Sequence, residues 1–192
     1  EHSKGSLIHD NCREVTVVRN LYAHNNQRNP YYKTAATGII ANNLVYNPGE
    51  FAIRTHWVKS EWKGLPEPPL AKIFIIGNVL IPGQNTRTDA FIIGDHAELF
   101  IKDNIIKDNK TDISISSGAF SNSKNPPVWC NELEIIDKDN VSEFVIRNAG
   151  ARPAYRDPID QRIVNSVSEK AGKIIDSQEE VGGYPVYDSV YR

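Results

Sequence analysis

The sequence contains no methionine, only two cysteines, and no apolar run approaching the length of a membrane span. Each absence excludes something. A chain that starts at Glu1 with no methionine is expected to have a processed, cleaved or trimmed N-terminus, and no signal peptide is visible. Cys12 and Cys130 lie far apart and lack metal-ligand spacing, so a disulfide and two free thiols both remain open. Charge of one sign is also scarce. The net charge is −2, which offers no global basic field for nucleic acid. An acidic ligand must therefore be drawn by a local cluster. Nucleotide-binding loops, zinc motifs and a nucleophile elbow are absent.

What remains is an ordinary globular composition, 40% apolar and 24% charged over 192 residues, enough to bury a sizeable core. Short β-branched runs recur, each followed by asparagine and another apolar pair. They are Val17–Tyr22, Ile39–Tyr46, Phe74–Ile81 and Leu99–Ile106, with Asn20, Asn43, Asn78 and Asn104 spaced by 23, 35 and 26 residues. Periods of this size indicate a solenoid. No amphipathic helix lies between the strands, which argues against βαβ crossovers. The expectation is all-β, a parallel β-helix. Asparagine at each corner tolerates left-handed backbone and can hydrogen-bond from coil to coil as a ladder. The alternative is an antiparallel sandwich whose asparagines merely mark turns.

Residues 1–139 read as the coils. They carry an inserted loop at 57–70, containing Trp57, Trp62 and Pro66-Glu67-Pro68-Pro69, and a surface loop at 110–131 rich in Ser, Asn, Lys and Pro. Long loops on solenoids often line the binding face. Residues 140–192 read as a helical C-terminal cap and tail. A short helix spans Val141–Asn148 and stops at Gly150. A second has Asp157 as N-cap, Pro158 at the first helical position, an Ile159/Ile163/Val164/Val167 face and an end at Gly172. Such a segment is expected to cover the exposed end of the stack.

Two basic segments stand out: Lys4-Gly5-Ser6-Leu7-Ile8 and Arg28-Asn29-Pro30-Tyr31-Tyr32-Lys33. On one flank of a coil they form a patch suited to an acidic polymer. They also resemble the catalytic part of polysaccharide lyase family 1, the pectate lyases. Lys4 matches that family's Lys-x-x-Leu-Ile segment. Arg28, Pro30 and Lys33 match its Arg-x-Pro-x-x-Arg, with lysine replacing the last arginine and losing its bidentate fork. The tail is similar to the C-terminus of bacterial members, from Ala149-Gly150-Ala151-Arg152-Pro153 through Ile174-Ile175-Asp176-Ser177 to Glu180-Val181-Gly182-Gly183-Tyr184-Pro185. The resemblance implies the C-terminal half of a right-handed parallel β-helix. It also implies cleavage of pectate or a related uronate polymer by calcium-assisted β-elimination, with Arg28 as base and Lys4 and Lys33 on the uronate.

The family's calcium ligands fall upstream of the Lys4 position, so the resemblance places Ca²⁺ on residues outside this chain and invites a separate N-terminal β-helix piece as partner. It further implies an acidic polysaccharide such as polygalacturonate as ligand, with no nucleic acid or membrane partner, and a secreted or periplasmic, bacterial location. Arg54 and His56 precede the inserted loop and could face the groove, with ordinary loop roles the alternative; Trp57 and Trp62 could stack on sugar rings, with packing under the loop the alternative; Arg54 and Trp57 are taken as candidate substrate contacts. His2, His9, His24 and His96 read as solvent or turn residues, and Asp103 and Asp108 as a solvated pair. The competing function is a non-catalytic carbohydrate-binding β-helix. A β-helical glycoside hydrolase needs paired carboxylates that the sequence does not cluster.

Overall fold

The computed structural model describes residues 3–108 and 112–184. The chain winds into a β-solenoid of about five turns. The first coil consists of β1 (Leu7–Ile8), β2 (Val15–Val18) and β3 (Leu21–Ala23). The second consists of β4 (Tyr31–Lys33), β5 (Thr37–Ala41) and β6 (Leu44–Tyr46). The third consists of β7 (Ile53–His56), β8 (Ala71–Ile76) and β9 (Val79–Ile81). In the fourth, β10 (Ala90–Lys102) turns a corner within one strand and is followed by β11 (Ile105–Ile106). Every pairing is parallel. One face stacks β1, β4, β7 and the first half of β10; the second stacks β2, β5, β8 and the rest of β10; the third stacks β3, β6, β9 and β11. β10 bends where its pairing shifts register between Asp95 and Ala97.

Strand composition follows from burial on both sides. In β8, Ile73 and Ile75 point into the solenoid, while Phe74 and Ile76 meet a covering segment, so the run is continuously apolar. Inside, Tyr22, Val45, Leu80 and Ile106 stack coil on coil, as do Ile40, Ile75 and Ile101. Outside, Ile39, Phe74 and Phe100 are covered by Val128, Leu133 and Ile135. The outer face of the third sheet, Leu44, Tyr46, Val79 and Ile81, is covered by Val141 and Val145 of α1 (Lys138–Asn148) and Val167 of α2 (Pro158–Ser168). Asp157 caps α2 through its side chain, with Pro158 just inside, as the sequence suggests. The C-terminal helices thus lie along the flank of the stack.

The end of the stack is taken by a strand that composition conceals. Within the expected 110–131 loop, β12 (Ser114–Asn122) pairs in parallel along β10. Its sequence, SISSGAFSN, lacks the apolar run of the other strands. As the last rung it is exposed on its far side, so serines suffice there and close the sheet edge with polar side chains.

The corner between the second and third faces carries the asparagine ladder. Asn43 Oδ1 accepts from the backbone N–H and side-chain amide of Asn20, each at 3.0 Å. Asn78 Oδ1 accepts the same pair from Asn43 at 2.9 Å, and Asn104 Oδ1 accepts from Asn78 at 3.0 and 2.9 Å. The left-handed backbone that the sequence reading assigned to these asparagines falls one residue earlier, at Arg19, Asn42, Gly77 and Asp103. The two tasks separate because the left-handed residue makes the turn and the next amide bridges the coils. At Gly77 a Cβ would meet the Asn42 amide at 2.6 Å, so this rung takes glycine.

A second corner binds the helices. His24, read from sequence as a solvent or turn residue, is 7% exposed with positive φ. Its Nδ1 accepts from the Asn47 amide at 2.9 Å and its Nε2 donates to Ser166 Oγ of α2 at 2.8 Å. Burial, then the nearby Arg162 charge, lowers its pKa below the ordinary value.

Two outcomes follow. Asn78→Ala leaves Asn43 and Ile40 backbone groups unpaired in the interior and is expected to cost about 3 kcal/mol. Asn20→Ala, at the exposed first rung, is expected to cost under about 1 kcal/mol. Urea unfolding midpoints check this, and equal costs would reject the ladder as a graded interior device. Because folded His24 binds its proton more weakly than unfolded histidine, its contribution is complete above about pH 6.5 and is lost as pH falls through the lower folded value. Melting temperature should drop across that window in the wild type, and His24→Asn should flatten the drop.

Candidate functional site

The first face is the one that neither the helices nor the 128–136 segment covers. Its outward rows run across the coils. Leu7, Tyr31, Arg54 and Ile93 form one row. Lys33 and His56 begin the next, continued by Asp95 through a 2.6 Å contact between His56 Nδ1 and Asp95 Oδ2. Alternation along a strand puts Tyr31 and Lys33 outward and Tyr32 inward, yet Tyr31 and Lys33 are both buried, Lys33 beneath Glu61 of the inserted loop.

Arg28 sits just ahead of β4 in left-handed conformation, followed by a cis peptide between Asn29 and Pro30. It is half-buried, and its guanidinium meets no hydrogen-bond acceptor or carboxylate among the described residues. Lys4 pairs across the coils with Gln27, the residue before Arg28, and is exposed without an ion-pair partner among the described residues. Arg54 rises from β7 beside Tyr31. Its guanidinium carbon lies 4.2 Å from the Phe51 ring centroid and 5.8 Å from that of Tyr31. Arg54 Nε is buried without an acceptor. Among the described residues, none of these three cations has a carboxylate at ion-pair distance.

Lys33 differs. It is 3% exposed and pairs with Asp10 Oδ2 at 2.8 Å and with Glu61 of the inserted loop. Burial opposes its charge, but the Asp10 and Glu61 carboxylates outweigh it and hold the ammonium above its ordinary pKa. Substrate can meet Lys33 only by competing with those two carboxylates. Trp57 stands at the far edge of the face. Its ring centroid lies 4.6 Å from that of His96, Lys59 Nζ lies 5.1 Å from it, and its Nε1 is buried without an acceptor. The expected residues therefore separate: Lys4 and Arg28 adjoin, Arg54 stands one coil away, and Lys33 and Trp57 belong to the region tied down by the inserted loop.

That loop is anchored at several points. Besides the Lys33–Glu61 pair, Thr34 Oγ1 donates to the Pro69 carbonyl at 3.1 Å and His96 Nε2 donates to that of Pro68 at 2.9 Å. Sequence reading missed Asp10, Glu61 and Asp95. Asp10 was within reach, because it precedes Lys33 by one coil period, the same interval that separates Asn20 from Asn43. Glu61 and Asp95 gave no signal, since insertion length hides their register.

His9, Asp10 and Glu61 form the one grouping among the described residues whose ligand atoms lie within 4.8 Å of each other. It does not suit calcium. Ca²⁺ takes six to eight oxygens, whereas this group offers an imidazole and two carboxylates already joined to the Lys33 ammonium. The calcium suggested by the sequence resemblance therefore enters no step below. Among the described residues, no helix is long and apolar enough to cross a membrane. Cys12 and Cys130 are both free thiols.

No protein-family model matches the chain, and no solved structure does. Two curated relatives match. A probable pectate lyase C of Aspergillus flavus and a probable pectate lyase C of Aspergillus oryzae are each 26% identical over 194 residues, covering 95% of this chain and 43% of the relative. The chain thus spans under half the length of these relatives.

Lys33→Ala leaves Asp10 buried without its cation and is expected to cost about 3 kcal/mol. Glu61→Gln, at a side chain 49% exposed, is expected to cost no more than about 1 kcal/mol. Chemical denaturation of both variants checks the ordering, and a silent Lys33→Ala would remove the clamp from the account.

Proposed function

We propose that the chain is a catalytic portion of a polysaccharide lyase that cleaves a uronate polymer, such as polygalacturonate, by β-elimination. The observation that carries the reading is the set of cations without ion-pair partners among the described residues, Arg28, Lys4 and Arg54, on or beside the solenoid face that neither the helices nor the 128–136 segment covers. The similarity to probable pectate lyases supports it. Such a substrate lies outside the cell, so a secreted protein is part of the proposal.

In the proposed step, Arg28 removes the proton alpha to the uronate carboxylate. The electron pair left behind forms the carbon–carbon double bond, and the glycosidic oxygen beta to the carboxylate departs with its electrons and takes a proton. Charge grows on the carboxylate as the proton leaves. Lys4 and Arg54 stabilise that charge, which favours the transition state over the ground state. Guanidinium is ordinarily protonated. Lys33, already paired with Asp10 and Glu61, adds little to the charge that meets the carboxylate. Its proposed role moves to holding the inserted loop beside the groove, where the loop borders the substrate path.

The unsaturated uronate product absorbs in the ultraviolet, which gives the test. Wild-type chain on polygalacturonate should produce the signal, and Arg28→Ala should lower the rate by about a hundredfold or more with the fold intact by circular dichroism. Polymer binding without product in the wild type would replace the lyase with a carbohydrate-binding module. Undiminished turnover in Arg28→Ala would remove Arg28 as base.

A further inference from the structure

Where the loops after β3, β6 and β9 meet the stretch 174–176, they enclose a cavity of about 820 Å³, within the range of small-ligand sites. Lys4, from the proposed substrate face, forms part of its wall, so the cavity adjoins that face. Its character differs from the face. Four side-chain amides line it: Asn26, Gln27, Gln84 and Asn85.

Each amide is fixed at one end and unspent at the other. Asn26 Oδ1 accepts from Arg87 Nη2 at 3.3 Å and from the Glu50 backbone at 3.2 Å. Asn85 Oδ1 accepts from the Asn47 amide at 3.1 Å and from the Ile174 backbone at 2.9 Å. Gln27 Nε2 donates to Glu50 Oε2 at 2.6 Å, and Gln84 Nε2 donates to the Gly172 carbonyl at 2.6 Å. The Asn26 and Asn85 Nδ2 groups and the Gln27 and Gln84 Oε1 atoms have no protein partner among the described residues. The wall therefore offers two donors and two acceptors on side chains whose orientation is already set. Adjacent sugar hydroxyls need both kinds of partner, and groups held in place lose little entropy when a ligand arrives.

The charges of the wall balance and offer a second uronate no net attraction. Lys4 and Arg87 are matched by Glu50 and Asp176 in the same wall, and Glu50 lies 3.8 Å from Arg87. A carboxylate entering here meets two like and two opposite charges, so charge gives it no advantage over an uncharged sugar. We propose that this corner is a neutral-glycosyl subsite. It holds an uncharged sugar unit of the same polymer whose uronate is cleaved at Arg28, so the substrate is a uronan carrying neutral units in its backbone or branches. The proposal rests on the carbohydrate reading above and deepens it.

The test is isothermal titration of the full chain with neutral galacto-, arabino- and xylo-oligosaccharides, alongside the ultraviolet assay on polygalacturonate. At least one neutral oligosaccharide should bind, and Gln27→Ala/Gln84→Ala should weaken that binding about tenfold or more. Circular dichroism reports whether the double variant folds; if it does not, Gln84→Ala alone, at an exposed side chain, should weaken binding about fivefold. Failure of all three oligosaccharides to bind at about millimolar concentration, or equal affinity in the folded variant, overturns the subsite. Neutral binding that responds to the variant, in a chain releasing no unsaturated product, supports the subsite and rejects the lyase. Product release without neutral binding does the reverse.

Discussion

Everything in this molecule depends on keeping successive coils in register. A slip of one residue in the second coil would turn Ile40 outward and bring Ile39 into the interior, out of step with Ile75 and Phe74 of the third. The asparagine ladder opposes that slip. Each side-chain amide closes bonds to the neighbouring coil that exist at one register only, and the interior rungs Asn43 and Asn78 are fully buried. Buried amides left unpaired would be costly, so the same residues that fix the register also penalise its loss. The insertion between Asn43 and Asn78 is tolerated because its extra residues leave the stack as a loop and rejoin it at the same rung.

With register set, the three faces take different fates. The second and third carry apolar residues outward and must be covered, by the 128–136 segment and by α1 with α2. The first carries Arg54, His56 and Asp95 outward and partly exposed, while the inserted loop covers Lys33 through Glu61. Polar outward rows are thus the condition for an open ligand face. Its cations sort by neighbourhood: Lys33 pairs with carboxylates from the coil before and the loop after, while Arg28, Lys4 and Arg54 form no ion pair among the described residues. The corner beyond Lys4 adds fixed amides, so one continuous surface passes from a cationic floor to a nearly neutral pocket.

Much of this was legible along the chain. The asparagine spacing announced coils, the β-branched runs announced strands, and Asp157-Pro158 announced the start of α2. β12 was hidden because a terminal rung needs no apolar outer face, and its serines carry the composition of a loop. His24 was hidden because its burial comes from α2, more than a hundred residues later in the chain. The partners of Lys33 were hidden because Glu61 comes from an insertion whose length breaks the coil period.

The sequence by itself determined the repeat, the inward and outward alternation, and the identity of the basic residues near Arg28. These are local properties, written in side-chain type and spacing. Only the tertiary structure decided which cations are free and which are paired. Charge state at a site depends on carboxylates delivered from other coils and from an inserted loop, and their distance through space has no counterpart in their distance along the chain.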